Sequence, residues 1–133
     1  DPSCSKTNQG IFFDFVKAQS KALFPVRLAQ CVADFPIPVK PTGLRIRRMK
    51  ARWGSCSHTG EICLNSLLVQ KDIQAIDLVI AHELCHLKHF HHNADFYALL
   101  DEAMPDWKQR ERLSRELEEA LKKKAEANQQ IKR

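Results

Sequence analysis

The stretch DIQAIDLVIAHELCHL, residues 72–87, decides how this chain is read. Asp72 is a good helix N-cap. Ile73, Ile76, Ile80, Leu84 and Leu87 then recur at about 100° per residue, the period of an amphipathic helix. His82-Glu83-Leu84-Cys85-His86 lies inside that helix. Residues four apart stand one turn above each other, so both imidazoles can reach one Zn²⁺. On a helical wheel they lie about 130° from the middle of the apolar stripe, so one face packs while the other projects ligands into a cleft. Glu83 stands beside the metal position, where its carboxylate can take a proton from an attacking water. Cys85 falls at the edge of the ligand face. It reads as a small helix residue, because a fourth protein ligand would close the position water needs.

A hydrolytic zinc site needs a third protein ligand, and His89, His91 and His92 are the nearest candidates. His89 shares the face of His82 and His86, but a continued helix would set it about 10 Å from His82 along the axis. His92 follows His82 by ten positions and precedes Asn93, where the chain can turn back. The resulting H-E-x-x-H-x5-H spacing favours His92, with His91 as runner-up and Glu102, on the following helix, as a further candidate.

Outward from this segment the chain reads as α+β. Ile11, Phe12, Phe15, Val16 and Leu23 recur at helical spacing, and Pro25 suits the first turn of a second helix carrying Val26, Leu28, Ala29 and Val32. Residues 35–41 hold three prolines and form an extended connector. Leu44 to Trp53 is a predicted strand whose phase breaks at Arg48, and Ile62-Cys63-Leu64 returns beside it as an antiparallel partner. Downstream, one helix carries Phe96, Leu99 and Leu100. A last helix starts at Pro105 or Asp106, with Leu113, Leu117 and Leu121 as its apolar stripe. Glu111–Arg115, Glu118–Lys122 and Glu119–Lys123 are favourable pairs on its solvated sides. The expectation is a single domain over residues 1–133, frayed at 1–9 and 125–133.

The chain has 133 residues, 44% of them hydrophobic and 28% charged, the composition of a soluble globular protein. No apolar run approaches the roughly 20 residues that span a bilayer. Five cysteines without a C-x-x-C pair argue against a disulfide scaffold and for free thiols in a cytoplasmic setting. The net charge of +5 is local: Arg45, Arg47, Arg48, Lys50 and Arg52 account for all of it. That concentration argues against a uniformly nucleic-acid-coating surface.

Several ordered motifs share a family pattern. They are Met49-Lys50-Ala51-Arg52-Trp53-Gly54-Ser55-Cys56-Ser57, Ile62-Cys63-Leu64-Asn65, the H-E-L-C-H helix, His92 with Phe96-Tyr97, and Pro105-Asp106-Trp107-Lys108. Over roughly residues 40–115 they resemble the YgjP-like metallopeptidase family. The resemblance implies a minimal zincin-like fold with N-terminal helices, a small mostly antiparallel sheet beside the active-site helix, and C-terminal helices. It also implies one catalytic Zn²⁺ on His82, His86 and His92, with Glu83 as the catalytic carboxylate. Metzincin proteases share the spacing of the third histidine but carry Gly where this chain has His89.

The expected function is zinc-dependent hydrolysis of peptide bonds. The alternatives are a metal-dependent nucleoside-triphosphate pyrophosphatase, served by the Arg45–Arg52 cluster as a phosphate site, and a nucleic-acid-associated protease or binding module. Candidate substrate or oxyanion contacts are Tyr97, Trp53, His58 and Arg52. Asn65 is a candidate to fix a loop through side-chain–backbone bonds, and Asp95 to orient an imidazole.

Overall fold

The computed structural model describes residues 8–131, with side chains placed for residues 14–124 and 126. The chain runs α1 (Asn8–Asp34), β1 (Gly43–Arg47), β2 (Gly54–Cys56), β3 (Glu61–Asn65), a 3₁₀ turn (Ser66–Gln70), α2 (Ile73–His86), α3 (Ala94–Ala103) and α4 (Trp107–Ile131). Of the ends expected to fray, residues 1–7 and 132–133 lie outside the described residues, and the backbone is helical from Asn8 and up to Ile131.

The two N-terminal helices expected from Pro25 are one, with the proline inside α1. Pro25 removes a backbone donor and crowds the preceding turn, at a cost of about 3 kcal/mol. Packing offsets that cost: Phe24 is fully buried, and Leu28 and Val32 lie against the same core. Arg27 then clamps α1 to α2 through a two-pronged pair with Asp77, at 2.9 and 2.5 Å.

The sheet is mixed, in the order β1-β3-β2. The predicted strand from Leu44 pairs with β3 in parallel rather than antiparallel, as β1, and the antiparallel partner of β3 is β2, formed by Gly54–Cys56 just after the predicted strand. Pairing of the first strand ends at Arg47, and the segment between Arg48 and Trp53 carries the chain across to β2. Asn65 holds that crossing. Its Nδ2 donates to the carbonyls of Met49 at 3.0 Å and Arg52 at 2.9 Å, and its Oδ1 accepts from the Leu67 N–H at 3.1 Å, capping the 3₁₀ turn. As the central strand, β3 buries successive residues, with Ile62 and Leu64 fully enclosed.

α2 divides the interior and turns three faces to different surroundings. Ile76, Ile80 and Leu84 meet the sheet and α1. Ala81 and Cys85 pack with Phe96, Leu99 and Leu100 of α3. The remaining face carries His82, Glu83 and His86. Ile73, at the head of the predicted stripe, is exposed.

The stripe of α4 differs most from expectation: Leu113, Leu117 and Leu121 are 50, 57 and 59% exposed. The helix docks through Trp107, packed with the α3 cluster, and through Arg110, whose guanidinium donates to the Gln74 carbonyl at 3.2 Å. Ser114 adds a contact to Lys71 from the same side.

Candidate active site

The site is built where α2 ends and α3 begins. Asp72 starts α2, its carboxylate accepting from the Ala75 N–H at 2.8 Å, and the helix carries His82 and His86 one turn apart. Beyond His86 the chain tightens into turns, and Asn93 caps α3 by accepting from the Phe96 N–H at 3.0 Å. The residue before this cap is His92. Its ring packs against Tyr97, with centroids 6.3 Å apart, the position of a hydrophobic staple across a helix start. That packing aims His92 back at α2.

His82, His86 and His92 consequently converge, with one ligand nitrogen from each lying within 4.8 Å of the others. The Nε2 atoms of His82 and His92 are 3.1 Å apart. Nitrogens bound to a tetrahedral zinc at about 2.0–2.1 Å would stand roughly 3.3 Å apart, so the donor set fits such an ion. His86 Nδ1 faces the carbonyl oxygen of His89 at 3.2 Å. A carbonyl only accepts, so Nδ1 carries the proton and Nε2 keeps its lone pair. Burial, followed by the neighbouring His86 and His92, pushes the His82 pKa down to about 4 and keeps that ring neutral, the form a metal requires. Beneath the three imidazoles lies the fully buried ring of Phe96, with centroids 5.0, 4.7 and 4.9 Å from those of His82, His86 and His92.

Glu83 is 6% exposed. Burial pushes its pKa up to about 7, opposed by the charge of Arg52. With Glu83 and His82, a cleft of about 410 Å³ is lined by Arg52 and Trp53 ahead of β2, by Ala75 and Val79 of α2, and by Trp107 of α4. Gly54 lets β2 approach this closely. A Cβ there would stand 3.0 Å from Val79 Cγ1 and 3.3 Å from Glu83 Cγ.

A sequence model of the family described as YgjP-like, metallopeptidase domain, matches residues 4–128. The chain belongs to that family. It is a metallopeptidase-type hydrolase. Two solved structures share its fold, both metallopeptidase zymogens. Abylysin of Pyrococcus abyssi is 21% identical with a TM-score of 0.59, the match covering 71% of this chain and 94% of that one. Jannalysin of Methanocaldococcus jannaschii is 22% identical with a TM-score of 0.57, covering 70% and 95%. Comparison with the curated proteins gives no match. No helix among the described residues is long and apolar enough to cross a membrane.

In this YgjP-like domain the other residues singled out from sequence fall in different places. His91 packs edge-on against Phe90, and neither it nor Glu102 joins the three-histidine group. Cys85 is buried against α3, and its thiol is pushed up to about 12, chiefly by burial. His58 does not line the Trp53 cleft. It stacks on Phe90 with centroids 4.2 Å apart, and Phe90 in turn lies 6.2 Å from His86, on the other flank of the histidines. Tyr97 bridges His92 and Trp107, stacking on the latter at 5.6 Å. The backbone carbonyl of His89, rather than Asp95, faces His86. Of the basic cluster, Arg45 pairs with Glu61 at 3.2 Å and Arg52 alone reaches the cleft.

Three features of the site have no signature in residue type. The His89 contribution is a main-chain oxygen, Phe96 reads as ordinary core, and Lys71 becomes part of the cleft only through α4. For Phe96 the available signal is its place four residues after His92, in the motif that it shares with Tyr97.

Proposed function

We propose that this protein is a zinc-dependent peptide hydrolase in which His82, His86 and His92 hold one Zn²⁺ and Glu83 moves the proton. The convergence of three imidazoles beside a buried carboxylate, at the mouth of a cleft, carries the reading. The bound ion supplies Lewis-acid polarisation of the scissile carbonyl and lowers the pKa of water. Glu83 accepts the proton of the attacking water at its carboxylate and delivers it to the leaving amine. A carboxyl group whose pKa lies near neutrality serves both transfers well. Phe96 excludes water from beneath the histidines and holds their rings apart from the core. Tyr97, whose ring packs on that of His92, would donate a hydrogen bond to the developing oxyanion. Arg52, which lines the cleft with Glu83, would contact the substrate backbone, and Trp53 would form the adjoining rim. His58 acts through Phe90, as packing behind His86. The free thiols of Cys31, Cys56, Cys63 and Cys85 suit a reducing, cytoplasmic setting.

Glu83→Gln tests the assignment. The variant is expected to retain one zinc per chain and to lose about 10²–10⁴-fold in kcat/KM toward peptides. A fully active variant would remove Glu83 from the chemistry. His92→Ala is expected to lower the zinc content; an unchanged stoichiometry would return the third ligand to His91 or Glu102. A phosphate-bearing substrate is the second reading, favoured by Arg52 at the cleft and the neighbouring surface concavity formed by residues 47–52. Chelator-sensitive hydrolysis of a nucleoside triphosphate, without peptide cleavage, would put it first. Nucleic-acid association through Arg45, Arg47, Arg48, Lys50 and Arg52 predicts DNA binding that falls steeply with salt.

A further inference from the structure

The cleft that begins at Glu83 and His82 extends away from the histidines toward α4, and its lining divides into two chemical classes. Trp53, Ala75, Leu78, Val79 and Trp107 give it apolar walls. The charged residues at its α4 end are committed to each other. Lys71 Nζ donates to Ser114 Oγ at 2.9 Å, pairs with Glu118, and stands 4.5 Å from the centroid of the Trp53 ring. Arg115 pairs with Glu111. At that end an incoming carboxylate would have to displace Glu118 from Lys71, and an incoming ammonium would have to draw Glu118 or Glu111 away from its partner. Arg52, the remaining cation of the lining, acts on Glu83. An apolar side chain displaces only water from apolar walls. The volume of about 410 Å³ lies within the roughly 300–1,000 Å³ of ligand pockets.

We infer that this cleft is the specificity pocket of the enzyme, seating a bulky apolar side chain, aromatic or branched aliphatic, of a substrate residue flanking the scissile bond. The inference rests on the peptidase reading above for its link to cleavage, but the pocket and its occupant are a separate matter of binding. Continuity supports the placement, because Glu83 and His82 belong to the cleft wall themselves. Leu78, on α2 one turn before His82, is the residue whose size sets the room available.

The chain has two tryptophans, and both Trp53 and Trp107 line the cleft, so intrinsic fluorescence reports occupancy without turnover. The full chain is titrated with the N-acetyl amides of phenylalanine, alanine, glutamate and lysine, with and without zinc. The expected result is a saturable fluorescence change whose Kd for the phenylalanine derivative is at least about tenfold below that for alanine, with the two charged derivatives no better than alanine. Leu78→Phe, which fills the pocket, is expected to remove that advantage. Leu78→Ala, which enlarges it, is expected to keep it, so one readable variant remains if the other fails to fold. Equal affinity for all four compounds, or preference for a charged one, overturns the pocket.

Peptide libraries varied on each side of the cleaved bond supply the second arm. Cleavage is expected to favour a bulky apolar residue on one side by about tenfold or more in kcat/KM. Cleavage without such a preference overturns the pocket and leaves the peptidase reading intact. A fluorescence preference without any cleavage supports the pocket and counts against the peptidase reading.

Discussion

On one flank of the cleft, His82, His86, His92 and the groups that aim them fall within residues 82–97, and their supports are a helix turn, a capped helix start, a main-chain carbonyl and a buried ring. On the other flank, beyond the start docked by Trp107 and Arg110, α4 is fastened by contacts from Lys71 to Ser114 and Glu118, 43 and 47 positions away, and carries the Glu111–Arg115 pair on its own surface. The first flank is held by apolar burial and backbone geometry, which salt scarcely affects. The second is held largely by charges near water, which salt screens. On the proposed reading, chemistry rests on the stiffer scaffold and substrate choice on the more adjustable one. Each half of that contrast can be broken separately.

The largest effect belongs to the ring under the histidines. Phe96→Ala removes a fully buried aromatic side chain and is expected to cost about 3–5 kcal/mol of unfolding free energy, measured by urea denaturation of the metal-free protein. The same variant should bind zinc more weakly, because all three imidazoles lose the surface they lean on. Phe96→Leu keeps most of the volume and should cost less than about 1.5 kcal/mol. If both variants unfold like the parent chain, the metal flank is not supported from below.

Asn65 comes next. Asn65→Ala strands the carbonyls of Met49 and Arg52 and the Leu67 N–H, and leaving buried polar groups unpaired costs about 1–3 kcal/mol. The Arg48–Trp53 crossing should loosen, shifting tryptophan fluorescence through Trp53, while zinc stoichiometry stays at one per chain. A loss of zinc instead would mean that the sheet side also supports the histidines. Asn93→Ala removes the cap that turns His92 inward. It should cost about 1 kcal/mol in stability and about tenfold in zinc affinity, read by competition with a chelating dye.

The same contrast explains what was legible in the sequence. Helix period and capping act over a few residues, so Asp72, the apolar face of α2, the two helix histidines and the return of His92 at Asn93 could all be read from spacing. The parallel pairing of β1 depends on Asn65 reaching main-chain oxygens 13 and 16 positions back, and main-chain oxygens have no residue type. The continuity of α1 through Pro25 depends on burial of Phe24, a tertiary gain that overrides a local preference. On α4 the leucine stripe suggested the packed face, yet Leu113, Leu117 and Leu121 are exposed and the docking is done by Trp107, Arg110 and Ser114. Glu118, which has Lys122 four residues ahead, pairs with Lys71 instead, and no local rule could select the distant partner.

That last pair gives the smallest predicted effect and the sharpest test of the adjustable flank. The Lys71 side chain is 15% exposed and that of Glu118 46%, so the pair stands at the boundary between screened and unscreened charge. A double-mutant cycle with Lys71→Met and Glu118→Gln should give a coupling free energy of about 0.2–1 kcal/mol. It should shrink as salt is raised from low ionic strength to 1 M, where the Debye length is only about 3 Å. Stability is expected to change little, because Trp107 and Arg110 still hold the start of α4. Zinc content should not change at all, since neither residue lies among the histidines. The preference among capped amino-acid amides should change instead: Lys71→Met leaves Glu118 without its cation and should improve binding of the lysine derivative relative to the parent chain. A coupling unaffected by salt, or a Lys71→Met variant that loses zinc, would show the two flanks to be one unit, with substrate choice and chemistry sharing a single scaffold.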